Sequence, residues 1–475
     1  MPSLKRQQAR ARWFGTLFAK ECRNLASGRA FWLLLLLLCP LVGYSFIQAM
    51  ALYAEASRSA AQLPEVAHNI SPLDGILVPT FGALYLANTF LFPFVAIRTL
   101  AHEKETGSLK LLLQLPPSVG TVMAAKIAAL AGAWALVAVP ALSAVALWAM
   151  AGGHLHLPEL ASVLLGHWLY GAIVTGFALV AAALAESSAT AAIITLAITL
   201  GFWVLDFAAA GESGILKSLA SLSPTLLLRG FERGVCSVGS ALAALTAALG
   251  LAIAAGILLD LRGAASRKLA LLATTVCAVA VLATAAAQLR LYADASEDRR
   301  NSFAPADADT LSGLKQRLTV LVHFAPEDPR YIDFERNILS KLQRTMPDVK
   351  IVQASRSRTG ALEEASEKYG TILYQYRGRQ TESRSTGAGE ILPLIYGLAQ
   401  VERKRTPAPP PYPGYPLEAS TGAAEIWFYG ALPLLMLAAW IATQGGLSFV
   451  YAPGGARSSE VRSVHEGVKR KETSQ

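Results

Sequence analysis

Apolar residues dominate eight long stretches of the chain, roughly 31–52, 80–98, 122–150, 160–184, 189–209, 239–260, 269–290 and 425–446. A bilayer core takes about 20 apolar residues as a helix, so each stretch predicts a membrane span. The first has a rival reading as a signal sequence, because Ala49-Met50-Ala51 resembles a small-residue cleavage site. The basic segment ahead of it, residues 1–30, is long for a signal leader, and the stretch is taken as an anchor. That segment is itself patterned. Trp13, Phe14, Leu17 and Phe18 recur at helical spacing beside Arg10, Lys20 and Arg23, as in a helix lying in the headgroup plane.

Between the seventh and eighth stretches the pattern changes. Residues 317–324 alternate and are β-branched, which predicts a strand. Residues 329–347 put Tyr331, Phe334, Ile338 and Leu342 on one helical face. Two further strands are predicted at 348–354 and 371–378, and helices at 361–370 and 389–404. Strands alternating with helices imply a small α/β domain with a mainly parallel sheet. The proline-rich run 405–416 would be its stiff stalk back to the membrane. The expected fold is thus a membrane all-α bundle of about eight transmembrane helices with an inserted small α/β extracytoplasmic domain. Its parts are an amphipathic N-terminal segment (1–30), a six-span domain (31–262), a seventh span (269–290), the α/β domain with its stalk (291–424), an eighth span (425–446) and a basic tail (447–475).

Composition agrees with that division. The chain is 53% hydrophobic and 16% charged, against about 25% charged in soluble domains. The formal charge of +9 would suggest nucleic acid in a soluble protein, but no aromatic-rich basic patch accompanies it. The basic residues mark topology instead. They fill 1–30, the 98–126 segment (Arg98, Lys104, Lys110, Lys126), the stretch after the sixth span (Arg262, Arg267, Lys268) and the tail, whereas 53–79 holds only Arg58. Both termini and the 98–126 loop are expected in the cytoplasm of a bacterial cell, the spans in its inner membrane, and 291–424 outside.

The motifs are few. Cys22, Cys39, Cys236 and Cys277 stand apart, without a CxxC pair, so neither a disulfide framework nor a metal knuckle follows. No GxxxxGK[ST] phosphate loop is present. His154, His156 and His167 cluster near one membrane surface, but no carboxylate or cysteine completes a ligand set, and no metal or cofactor is expected. His323, beside Glu327 and Asp328, sits where a strand ends and reads as a turn. Asp206 lies in an apolar run, where a charge costs about 2.5–3.5 kcal/mol at mid-span; it is a candidate pathway residue, with an interfacial cap as the alternative.

The loop "RTLAHEKETGSLKLLLQLPPSVGTVMAAK" (98–126) interrupts the apolar pattern most sharply. A membrane span would not tolerate Glu103, Lys104 and Glu105 together. Thr106, Gly107 and Ser108 offer a helix start, "LKLLLQL" a short helix with one apolar face, and Pro116-Pro117 its end. On its own this is an interfacial or protein-docking helix.

The same loop resembles that of type 2 ABC exporter permeases, through Glu103, Lys104, Glu105, Thr106, Gly107, Leu112, Leu113, Pro116 and Lys126. Residues 222–242 are similar to the family's stretch before its sixth span, with Phe231, Arg233 and Gly234 matching. Among such permeases the gliding-motility and nitrous-oxide-maturation types look nearest, over about residues 1–262. The remainder, 269–446, resembles the auxiliary subunit of the gliding-motility transporter. The resemblance implies a permease subunit without its own ATPase, two copies of it around two ATPase subunits, and a loop helix that docks the ATPase; the expected anchors on its apolar face are Leu109, Leu112 and Leu113. It implies ATP-coupled export or extraction of a substrate. An alternative is a mechanotransmission module whose outer domain acts on an envelope protein partner; a membrane-tethered enzyme is a third reading. Membrane lipid is an expected partner and nucleic acid is not.

Overall fold

The computed structural model describes residues 2–62, 67–208, 219–220, 222–260, 263–289, 291–325, 328–354, 368–404 and 412–450. The patterned N-terminal segment forms α1 (Pro2–Ser27). Then come α2 (Arg29–Gln62), α3 (Leu73–Glu105), the short α4 (Ser108–Gln114), α5 (Val119–Met150), α6 (Leu157–Leu184) and α7 (Ser188–Ala208). The short α8 (Pro224–Glu232) and strand β1 (Val235–Ser237) lead into α9 (Val238–Leu259) and α10 (Ala265–Ala287). Of these, α2, α3, α5, α6, α7, α9 and α10, together with the C-terminal α14 (Gly422–Gln444), are long and apolar enough to cross a membrane.

Several helices outrun the bilayer. The 34 residues of α2 span roughly 50 Å at 1.5 Å per residue, against an apolar thickness of about 30 Å. Helices α2, α3, α5 and α6 form the buried middle of the bundle, around side chains such as Phe46, Phe81, Phe92 and Trp148. The later spans are peripheral: α10 lies on α9, and α14 on α2. Both contacts run over glycine, since a β-carbon on Gly250 would collide with Val279 and one on Gly43 with Phe428. Small residues at a crossing let helix backbones approach closely without a hydrophobic driving force.

The sheet domain follows α10. Strand β2 (Tyr292–Asp294) pairs antiparallel with β1, so the domain begins by joining the bundle. Next come α11 (Pro305–Ser312), β3 (Leu318–Val322) and α12, in which Pro329–Phe334, Glu335–Leu339 and Ser340–Thr345 run on as one helix. Then follow β4 (Val349–Gln353), β5 (Ile372–Tyr376), β6 (Arg379–Ser383) and α13 (Ala388–Ala399), which keeps Pro393 in its interior. The buried face of the sheet (Val320, Val322, Ile372, Tyr374) packs with Tyr331, Phe334, Ile338 and Leu342, the four residues expected on one face of α12, and with Ile391 and Ile395 of α13. This core is separate from that of the bundle.

The expectation of a mainly parallel sheet is corrected. The order is β4-β3-β5-β6; β3 and β4 are parallel, while β5 runs antiparallel to both β3 and β6. A tight hairpin sets β6 against β5. Arg377 (φ 53°) and Gly378 (φ 76°) are both left-handed, as a two-residue turn between twisted antiparallel strands requires. Strand β6 is a polar edge strand, so no apolar alternation announces it. The helix expected at 361–370 falls mostly outside the described residues. The stalk is described from Tyr412, and there it does not stand off. Tyr415 N donates to Ile70 O (3.2 Å), Tyr53 Oη donates to Tyr415 O (2.6 Å), and Leu417 N donates to Ser57 Oγ (2.9 Å).

Candidate functional site

The charged loop lies where α1, α3, α5, α6 and α7 meet, at the end of the bundle opposite the sheet domain. Each charge of the Glu103-Lys104-Glu105 run has its own internal partner. Glu103, on the last turn of α3, points inward. Its Oε2 is 2.8 Å from Lys126 Nζ of α5, and its Oε1 takes the Lys20 amine of α1. Lys126 is fully buried, 2.9 Å from Glu21 Oε1, and donates to the Thr99 carbonyl at 2.7 Å. Two carboxylates and two amines therefore tie α1, α3 and α5 together. Burial works against the charge on Lys20, but the hydrogen bond to Glu103 and the fields of Glu21 and Glu103 outweigh it and raise its pKa above the usual value.

Lys104 turns the other way and donates to Ala183 O (2.8 Å) and Ala185 O (2.5 Å), the open carbonyls at the end of α6. Glu105 Oε1 accepts from Ser188 N (2.8 Å) and Ser188 Oγ (2.7 Å), at the first turn of α7. A cation on a helix C-terminus and an anion on an N-terminus each complement the backbone dipole. The loop is thus fixed to four helices through side chains adjacent in sequence.

Thr106 does not start α4; its Oγ1 donates back to His102 O (2.8 Å) and closes α3. Gly107 precedes α4 at φ 74°, a conformation that costs an L-side chain roughly 1 kcal/mol or more. Leu115, extended at φ −68° and ψ 163°, ends the helix ahead of Pro116. The apolar edge of α4 differs from the one expected. Leu109 is buried, and the half-buried Leu112 packs with Leu17 and Phe18 of α1 and with Val122 and Ala125 of α5. Leu113 is also half-buried against the core of the bundle. The outward leucines are Leu111, 67% exposed, and Leu115, 42% exposed, beside exposed Lys110, Gln114 and Pro116.

Asp206 sits at the far end of α7, away from this loop. Its Oδ2 accepts from Ser223 Oγ (2.8 Å), and Ser223 also caps α8 by accepting from Thr225 N. The contact observed is a tie between α7 and α8. The three histidines are likewise dispersed in role. His154 stacks on Tyr415 with ring centroids 3.5 Å apart, His167 is buried 3.3 Å from Glu232 Oε1, and His156 precedes α6. Among the described residues no group of three or more His, Cys, Asp or Glu is placed to hold a metal ion.

A second polar joint went unnoticed in the sequence. Glu297, just past β2, accepts from Tyr415 Oη (2.5 Å) and lies 2.8 Å from His154 Nε2, while its N–H donates to the buried Glu159 of α6 (2.9 Å). The hydrogen bond to Glu297 pushes the Tyr415 hydroxyl up to about 12. Arg300 bridges Asp298 and Asp74 at the start of α3. The run Asp294–Ser302 thus rivets the sheet domain to α3 and α6 and to the loop between α5 and α6. Its signal was a dense polar cluster directly after an apolar stretch.

Residues 16–228 match the family model described as ABC-2 family transporter protein. The match runs from within α1 into α8 and contains the whole charged loop. No curated protein and no solved structure matches the chain. The family match supports a multi-pass permease subunit of an ABC transporter, and such a membrane component implies an ATPase partner subunit. The sheet domain lies outside the matched residues.

Proposed function

We propose that the chain couples ATP hydrolysis by a separate subunit to export or extraction of a substrate, with α4 as the contact. The observation that carries this is the anchoring of the 103–118 loop. A force applied to α4 passes through Glu103, Lys104 and Glu105 into α1, α3, α5, α6 and α7 with no slack segment between. The exposed Leu111 and Leu115 are the anchors a groove would take, since helix-in-groove contacts rest on a few apolar side chains. Lys/Arg asymmetry supports a cytoplasmic position for this end, and the exposed flanks of α7, α9, α10 and α14 leave room for a second permease copy.

The test is a photo-crosslinking side chain at position 111 in cells. Capture of a protein with an ATP-binding phosphate loop is expected, and its loss on Leu115→Asp. A crosslinker at 111 that captures lipid alone ends this reading.

The mechanotransmission reading draws on a separate observation, the joint of Glu297 and Arg300 with Glu159, His154 and Asp74. It joins the sheet domain to the outer ends of helices that hold α4, so motion at one end reaches the other. If that is the function, Glu297→Ala/Arg300→Ala leaves the ATPase bound yet abolishes the cellular phenotype of the intact chain.

A further inference from the structure

Between α1, the first turn of α2 and the last turns of α3 lies a cleft of about 570 Å³, within the range of small-ligand sites. It is lined by Lys20, Asn24, Arg29, Arg98, His102 and Ser108, with Glu21 and Glu103 in its wall. The two carboxylates are already committed to Lys126 and Lys20. Arg29 and Arg98 have no ion-pair partner among the described residues, although both line this one cavity. The cleft therefore presents uncompensated positive charge over polar donors.

Its depth is set by the chain. Arg29 immediately precedes the apolar run of α2, and Arg98 and His102 follow the apolar part of α3. The cleft thus opens at the level of lipid headgroups, beside a helix whose partly exposed Trp13 and Phe14 suit the same layer. We infer that it binds the phosphate of an anionic phospholipid, held by Arg29 and Arg98, with the acyl chains running along the exposed side of α2. Paired guanidinium groups suit phosphate oxygens because their N–H donors match them bidentately. The inference does not depend on ATPase docking or on what is transported.

The test uses the purified full-length chain, titrated in detergent with phosphatidylglycerol, phosphatidylcholine or inorganic phosphate, with bound lipid counted by native mass spectrometry. Phosphatidylglycerol is expected to be retained over phosphatidylcholine. Arg29→Ala/Arg98→Ala is expected to weaken that retention roughly thirtyfold, on the usual contribution of two basic side chains near an anionic surface. The control, Arg12→Ala/Arg23→Ala, removes two exposed charges of α1 outside the cleft and is expected to change retention little. Equal losses in the two double variants would mean diffuse attraction and overturn the site. Inorganic phosphate that displaces the lipid at comparable concentration would make this a free-anion site and overturn the lipid assignment. Unchanged retention in Arg29→Ala/Arg98→Ala would overturn both.

Discussion

Replacing Lys126 with methionine tests whether the ion cluster under the loop holds α1 in place. Methionine keeps nearly the same length and apolar stem, so the change is close to a deletion of charge. In the native chain the amine has 0% side-chain exposure and meets Glu21, Glu103 and the Thr99 carbonyl at 2.9, 2.8 and 2.7 Å. Without it, Glu21 (3% exposed) and Glu103 (10% exposed) share only Lys20, whose side chain is 40% exposed. Removing one partner of a buried ion pair costs about 3–5 kcal/mol, because the charge left behind stays desolvated. For a chain of 475 residues that is a fall of roughly 3–5 °C in Tm. Lys20→Ala should cost no more than about 1 kcal/mol, since its own side chain is 40% exposed and Lys126 still pairs both carboxylates. The assay is thermal unfolding of the detergent-solubilised full chain, with proteolysis ahead of α2 as a local readout. Glu21→Gln/Glu103→Gln added to Lys126→Met removes the stranded charges and should recover much of the loss. The reasoning is refuted if Lys126→Met melts with the native chain, or if the triple variant melts below the single one.

Three further outcomes follow from other parts of the chain. In a background without the native cysteines, Ser312→Cys in the sheet domain and Gln114→Cys at the end of α4 should label from opposite sides of intact cells; labelling of both by an impermeant reagent would reject the topology. Residues 295–405 expressed alone should unfold cooperatively, because their core is separate from that of the bundle, and a disordered spectrum would show that the bundle supplies part of it. Asp328 caps α12, and its carboxyl is held below the usual range by the Arg330 side chain, by burial only in opposition, and by the Tyr369 hydroxyl. Its folded pKa is depressed, so its contribution is complete above the ordinary carboxylate value near 4 and fades as pH falls through the lower folded value. Asp328→Ala should cost about 1 kcal/mol at pH 7 and reduce the acid sensitivity of the isolated domain; an unchanged acid limb would reject that role.

The spans were legible because hydrophobicity over 20 residues is a one-dimensional property: each of the eight apolar stretches became a helix, and α2 and α3 run on well past theirs, where polar residues also pair their backbone. Tertiary pairing was less legible. A polar edge strand such as Arg379–Ser383 carries no alternation, so the β5–β6 hairpin went unseen, and the direction in which β5 pairs with β3 is not written in its own residues. The joint at Glu297 was hidden for a different reason. Its partners, Glu159, His154 and Tyr415, are more than a hundred residues away, and neither partner of such a pair is unusual by itself.

The loop shows how the same residues support a local and a three-dimensional argument with different results. In sequence, Glu103-Lys104-Glu105 reads as a hydrophilic head free to meet a partner, and the leucines after it form a single greasy run. In space the three charges diverge by about 100° per residue around the helix, so each finds a different neighbour: Glu103 is buried, Lys104 half-buried and Glu105 exposed beside Ser188. The leucines divide in the same way. Leu109 and Leu112, three apart, share the inward face, while Leu111 and Leu115, four apart, share the outward one. A helix with two opposed apolar edges is held to its own subunit by one and available to another by the second. That division gives separate expectations for substitutions two residues apart: a charge at Leu109 should damage the permease itself, whereas a charge at Leu111 should leave it folded and remove only what binds it.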